Sequence, residues 1–187
     1  MKKYLPIFLA AILPGIVMFG CMLLLLTNTV SITNNGFAVD ADQILYLGKD
    51  AKIVVIDNGQ VIREISAKTS RGYRFTVVEG NTILLSNGST VYTMDLEGNV
   101  LTKSTDEQSK LYNELQFQSK FTDVRGDTYT LSRPWGRLRI TKDDTVIYQA
   151  PILDSIVVIA MVLSGVVAAI LGIFAAAIYY RQKAAEK

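Results

Sequence analysis

The chain has 187 residues, half of them hydrophobic and 19% charged, with a formal net charge of +2. It contains no histidine and a single cysteine, Cys21, which excludes histidine-based catalysis, an intrachain disulfide and a cysteine-based metal site. Glycine-rich phosphate loops and Gly-x-Ser-x-Gly elbows are also absent and the small net charge does not indicate nucleic acid, so we predict a non-enzymatic protein without catalytic residues, metal ions or cofactors.

The first predicted element is an N-terminal membrane anchor over residues 1–27. Residues 4–26 contain no charged side chain, and a helix needs about 20 apolar residues to cross a bilayer. Pro14 lies inside this segment and is expected to kink it. A cleaved signal peptide is the alternative, but this apolar run is longer than the usual signal core and no small-residue cleavage site closes it. The pattern therefore predicts a retained transmembrane helix.

Residues 28–152 form the predicted middle domain, which repeats the same pattern. Phe37, Phe75 and Phe121 each begin a short run, and a second apolar run ends ten residues after each of them. Two further runs rich in β-branched and aromatic residues follow, separated by turns of Asp, Asn and Gly. This pattern is typical of a four-stranded antiparallel meander. We place the repeats at residues 37–66, 75–104 and 121–149.

An insertion at residues 104–119 separates the second repeat from the third. Thr105 and Gln108 have the spacing of a capping box, and Leu111 and Leu115 lie four residues apart. These features predict a short helix, or a loop with one helical turn.

The turn into the last strand of a repeat carries an Asp-x-x-Gly-x-Val-like pattern, as at residues 95–100. Four-stranded units with this period and turn resemble β-propeller blades of the NHL-repeat and quinoprotein type, over residues 37–149. The resemblance implies an all-β domain of blade-like sheets. Propellers close with four to eight blades, and this chain has three repeats. Three arrangements stay open: a ring of two chains, blades that complete or cap a partner's domain, or meanders packed as a sandwich or irregular barrel.

A tryptophan and arginine patch interrupts the third repeat. The only tryptophan of the chain, Trp135, is flanked by Arg133 and Arg137, and Arg139 follows in the next strand. Strand alternation places Arg137 and Arg139 on the solvent face. Because tryptophan and arginine dominate binding hot spots, these four residues are predicted to contact a partner. The alternative is a tryptophan folded against its own blade.

The last predicted element is a C-terminal transmembrane helix over residues 153–181, followed by a short tail at residues 182–187. Residues 156–180 carry no charge and are long enough to span a bilayer. Small residues recur at every fourth position and predict a packing face for another helix. This small-residue stripe consists of Ala160, Ser164, Ala168, Gly172 and Ala176.

Basic residues lie outside both apolar segments: Lys2 and Lys3 precede the first, and Arg181 and Lys183 follow the second. The positive-inside rule places both termini in the cytoplasm and the middle domain outside. The predicted fold class is two transmembrane α-helices flanking an all-β extracytoplasmic domain, located in the cell membrane. A domain exported without disulfides favours a bacterial source.

These features favour a non-catalytic accessory or assembly subunit of a bacterial membrane complex, for example one built around a transporter. Its predicted partners are the lipid bilayer and either another membrane protein or a second copy of the chain, with no nucleic acid. The alternative function is a membrane-anchored extracellular module that binds a ligand and acts as a sensor.

Overall fold

The computed structural model describes residues 5–27, 29–31, 33–69, 72–78, 82–115, 119–123 and 125–185. The chain divides into two compact units. The helical unit combines Met1–Val30 with Ile152–Lys187, and the β unit is Ser31–Pro151.

The described residues form three α-helices: α1 is Leu5–Leu26, α2 is Lys110–Glu114 and α3 is Ile152–Ala185. Helices α1 and α3 pack against each other in the helical unit. The thiol of Cys21 in α1 is buried, 4.0 Å from the carbonyl oxygen of Val157 in α3. Pro14 lies inside α1, which continues on both sides of it.

One helix among the described residues is long and apolar enough to span a membrane, namely Ile152–Ile178 within α3, with a mean hydropathy of 2.9. Only 11% of the residues in its most apolar segment are buried. The core helix of a soluble protein, in contrast, buries most of its apolar surface. The apolar stretch described in α1 is shorter, Ile12–Leu26. The prediction of two transmembrane helices is therefore supported, by length and composition, for α3 alone. Residues 1–4 of the predicted first anchor lie outside the described residues.

The β unit contains three four-stranded antiparallel sheets, as the repeats predict, and each sheet is a meander with its strands in chain order. Sheet 1 contains β1 Phe37–Val39, β2 Leu45–Lys49, β3 Lys52–Asp57 and β4 Gln60–Ser66. Sheet 2 contains β5 Arg74–Val78, β6 Thr82–Ser86, β7 Thr90–Asp95 and β8 Val100–Thr105. Sheet 3 contains β9 Lys120–Thr122, β10 Thr128–Ser132, β11 Arg139–Lys142 and β12 Thr145–Gln149.

The register follows the sequence repeat in two sheets and slips in the third. Phe37 pairs with Leu47 and Phe75 pairs with Leu85, so the ten-residue offset seen in the sequence is a direct cross-strand pair. In sheet 3 the partner of Phe121 is Tyr129, two positions earlier than the offset predicts. A slip by an even number of residues keeps every side chain on its face, so sheet 3 retains the same inward pattern.

Sheet 1 lies between the other two sheets because both of its faces are apolar. Side chains alternate along a strand, so Leu45 and Leu47 of β2 face sheet 3 while Tyr46 faces sheet 2. The same alternation explains why β3 is apolar without interruption over residues 53–56, all of which are buried. The chain therefore packs its sheets in the order 2, 1, 3.

Each interface between sheets has its own core. The core between sheets 1 and 3 contains Phe37, Leu45, Leu47, Val54, Ile56, Tyr129, Leu131, Ile140 and Tyr148. The core between sheets 1 and 2 contains Tyr46, Ile53, Val55, Ile65, Tyr73, Phe75, Ile83, Leu85 and Met94.

The outer faces of sheets 2 and 3 are rich in threonine. Thr76 and Thr93 lie in one cross-strand row of sheet 2, and Thr130 pairs with Thr141 in sheet 3. Their strand neighbours belong to the two cores, so alternation directs these threonines away from sheet 1. The outer faces therefore differ in chemistry from the aliphatic and aromatic inner ones.

The insertion between sheets 2 and 3 is a 3₁₀ turn, Glu107–Ser109, followed by α2. Its start is fixed by Asp106 and not by the predicted capping box of Thr105 and Gln108. The buried Asp106 carboxylate accepts the N–H groups of Leu111 at 2.9 Å and Tyr112 at 3.0 Å, and the hydroxyl of Ser86 at 2.5 Å. Thr105 still belongs to β8, and Gln108 has a positive φ of 55°, so neither occupies the position that a capping box requires.

We expect the stability that Asp106 provides to depend on pH. Burial, the largest influence, would raise the pKa of this carboxyl, but the hydrogen bonds from Ser86, Leu111 and Tyr112 hold the pKa below its usual value. The contribution is then complete above the unfolded pKa of about 3.9 and is lost as the pH falls below it. Asp106→Asn should lower the thermal unfolding temperature at pH 7, and the difference from wild type should shrink below about pH 4. The matched control is Asp144→Asn in an exposed turn, and an equal loss in both variants would contradict this role for Asp106.

Truncating a buried side chain on either face of sheet 1 should destabilise the β unit strongly. Leu47 and Ile53 are both fully buried, one in each core, so Leu47→Ala and Ile53→Ala should each lower the free energy of unfolding by about 2–5 kcal/mol. Ile62→Ala is the control, because this side chain of β4 is 58% exposed and should change the value by less than about 0.5 kcal/mol. Urea unfolding of the full chain in mild detergent, followed by near-UV circular dichroism of the buried tyrosines, measures all three. Equal effects of the core variants and the control would contradict the two-sided core.

Candidate functional site

The Trp135 loop, residues 133–137, projects from sheet 3 between β10 and β11. Its centre is a tight turn over Pro134–Gly136. The N–H of Gly136 donates to the carbonyl of Arg133 (3.3 Å), and the N–H of Arg137 donates to the carbonyl of Pro134 (3.0 Å). The side chain of Trp135 is 87% exposed, the largest value among the large hydrophobic residues described. The ring is therefore not buried against its own sheet.

The backbone at Trp135 adopts the left-handed conformation, with φ of 53° and ψ of 36°. Left-handed backbone costs an L-residue about 1–2 kcal/mol, and it is rare for a bulky side chain. The loop thus holds its tryptophan outward at a conformational cost, which is a frequent property of functional positions.

The arginines of this patch differ in their surroundings. Arg133 is exposed, whereas Arg137 and Arg139 are half-buried. Arg137 is not simply solvated, as alternation would predict, because its Nε donates to the carbonyl oxygen of Ala150 at 2.7 Å. The structure therefore gathers Arg133, Trp135 and Arg137 in one loop and leaves Arg139 in the adjoining strand, while contact with a partner stays a prediction.

The members of the small-residue stripe of α3 differ in their exposure, and contact of this stripe with another helix stays a prediction. Ser164 is buried, Ala160 is half-buried, and the last three members are exposed. Residues four apart in an α-helix are turned by about 40° relative to each other, so a stripe of this period winds around the helix. Apart from the backbone of α3 itself, no heavy atom of the described residues lies within 4 Å of the position a Cβ would take on Gly172. The exposed members, Ala168, Gly172 and Ala176, are named the outer stripe.

A cleft of about 540 Å³ lies between sheets 1 and 3 and was not predicted from the sequence. Its walls include Leu45, Ile147, the buried Tyr129, and Lys142. Lys142 forms an ion pair of 2.6 Å with Asp127, and the Asp127 carboxylate raises the pKa of this lysine. Burial raises the pKa of Tyr129, so its hydroxyl stays protonated at neutral pH. These residues come from distant parts of the chain and have no local motif, which is why sequence spacing gave no signal for them.

The described part of the chain contains no group of three or more histidine, cysteine, aspartate or glutamate side chains placed to hold a metal ion. The cleft offers the neutral hydroxyl of Tyr129, the amides of Gln43 and Asn58 and the ammonium group of Lys142, which suit hydrogen bonding to a polar small molecule. The Trp135 loop and the outer stripe instead suit contact with a surface.

The likenesses of this chain to known proteins are distant. No protein-family model matches the chain, and the search of curated proteins found no match. A protein of unknown function from Bacteroides caccae is 14% identical, with a TM-score of 0.32 over 63% of this chain. A structure of streptogramin B lyase is 15% identical, with a TM-score of 0.35 over 64% of this chain. The chain spans less than half of either protein, 45% and 40% of their lengths, and likenesses this distant assign no activity.

We expect the protein with glycine at position 135 to be more stable than the protein with alanine there. Both replacements remove the indole equally, so their difference isolates the backbone cost of φ at 53°. Trp135→Gly should exceed Trp135→Ala in free energy of unfolding by about 1 kcal/mol. Arg133 has an ordinary φ of −135°, so there the order should reverse, with Arg133→Ala the more stable variant. Urea titration of the four variants measures both differences, and the same order at both positions would contradict strain at Trp135.

Proposed function

We propose that this chain is a non-catalytic accessory or assembly subunit of a bacterial membrane complex. The observation that carries the proposal is α3, a long apolar helix with little buried surface that continues directly from the last strand of the β unit. The exposed apolar side chains of such a helix are suited to the hydrocarbon core of a bilayer. The absence of histidine from the sequence removes the commonest general base, which favours a structural role over a catalytic one.

In this proposal α1 is a second anchor, so that both termini are cytoplasmic and the β unit lies outside. The packing of α1 on α3 supports the idea, because a helix that accompanies a membrane span shares its environment. Basic residues lie outside both apolar stretches, Lys2 and Lys3 before the first and Arg181 after the second, and they favour the same orientation.

The partner contact is proposed to involve the outer stripe of α3. Ala168, Gly172 and Ala176 are exposed although α3 already packs against α1. Small side chains allow two helix backbones to approach closely, which is a main source of association between helices in lipid. A neighbouring membrane protein, such as a transporter, or a second copy of the chain would supply the facing helix.

Cysteine cross-linking tests this contact. In a Cys21→Ala background, Ala168→Cys labelled with a photoactivatable maleimide in native membranes should form a cross-linked adduct with a partner helix on illumination, because the outer stripe is the proposed packing face. The matched control is Val166→Cys, since Val166 is 51% exposed and lies on nearly the opposite side of the helix. Mass spectrometry of the adducts identifies the partner.

The outcome that contradicts the proposal is reaction with lipid alone at both positions, or equal yields of protein adduct from both cysteines. A transport protein in the specific adduct supports the accessory subunit, and a second copy supports homo-oligomeric assembly.

The cleft between sheets 1 and 3 favours a second candidate function, a membrane-anchored sensor that binds a ligand. Its volume of about 540 Å³ falls in the range of small-molecule sites. A sensor of this kind needs a separate protein to carry its signal, so a signalling kinase in the specific adduct would support this candidate instead.

A further inference from the structure

Hydrogen bonds within the β unit connect the Trp135 loop to the last residues before the chain enters α3. The Nε of Arg137 donates to the carbonyl of Ala150 at 2.7 Å, and the N–H of Ala150 donates to the carbonyl of Leu138 at 2.9 Å. These bonds tie the last residue of the loop, Arg137, and the next residue, Leu138, to Ala150, which directly follows β12. Only Pro151 then lies between Ala150 and Ile152, the first residue of α3.

We propose that the Trp135 loop lies in the headgroup region of the bilayer that α3 enters. This inference rests on the proposed function, in which α3 spans the membrane. A residue tied to the chain next to the start of a span cannot be far from the membrane surface, because each residue adds at most about 3.6 Å of reach. The headgroup regions make a bilayer of about 30 Å hydrocarbon thickness up to about 40–45 Å in total.

The chemistry of the loop matches this environment. Tryptophan is enriched at membrane interfaces because its ring is apolar while its N–H still finds a polar partner there. The guanidinium of the exposed Arg133 fits a lipid phosphate, which it can bind through parallel hydrogen bonds. An indole exposed to 87% is better accommodated among headgroups than in water.

The strained backbone has a reason in this arrangement. A left-handed residue at position 135 turns the indole outward at a conformational cost, and transfer of the ring into the interface offsets that cost. A contact with a protein partner would use the same exposed ring, so the experiment must separate lipid from protein.

The single tryptophan makes a direct measurement available. The full chain is reconstituted into vesicles of phosphatidylcholine and phosphatidylglycerol whose acyl chains carry bromine either near the headgroup or near the bilayer centre. Fluorescence from Trp135 should be quenched about two-fold or more by the shallow bromine and much less by the deep one, because an interfacial indole lies close to the headgroups.

A second variant tests the membrane span independently. Trp135→Phe combined with Val166→Trp moves the single indole to the middle of the apolar helix Ile152–Ile178, where Val166 is 51% exposed, and the deep bromine should quench it. If the relocated indole in α3 escapes both bromines, the proposed function itself fails. If the relocated indole is quenched while Trp135 of the unaltered chain is not, the span stands and this inference is overturned, whether aqueous acrylamide reaches Trp135 freely or a protein contact shields it.

Discussion

The two-sided burial of sheet 1 is the constraint on which the β unit depends. Its second and third strands send alternate side chains into two separate cores, so neither sheet 2 nor sheet 3 has an apolar partner without it. The uninterrupted apolar run in β3 is the local cause, because a strand that faced water on one side would alternate with polar residues. Loss of this sheet would separate the other two.

This arrangement bears on how the repeats assemble. A ring closed with a second chain would have to bury the outer faces of sheets 2 and 3, which carry threonines such as Thr76 and Thr130 where the inner faces carry leucine, isoleucine and tyrosine. Within one chain the three sheets form a stack with threonine-rich outer faces, and closure of a ring with a second chain stays a prediction. In such a stack, the surfaces available for binding are the loops, the clefts between sheets and the helices. The Trp135 loop, the cleft beside Lys142 and the outer stripe are examples of these three surfaces.

Local periodicity predicted the elements well, and long-range packing accounts for what it missed. The sequence repeats located all three sheets, because turn residues and β-branched runs are local signals. The order of the sheets, the slipped pairing of Phe121 and the cleft beside Tyr129 depend on contacts between distant segments. The capping box was misplaced because Asp106 is held by Ser86 of another strand. The four-residue period of the small-residue stripe was visible in the sequence, whereas the different exposures of its members depend on the packing of α1 on α3. The exposure of Trp135 could not be known before its backbone conformation.

The central place of sheet 1 has a consequence for how the protein is made. Synthesis releases β1–β4 first, with two apolar faces and nothing yet available to cover them. The first core can close once β5–β8 have emerged, whereas the second must wait for β10–β12 and so for almost the whole domain. Until then the nascent chain exposes an apolar surface of the kind that chaperones protect. We therefore expect the docking of sheet 3 to be the slowest step of folding.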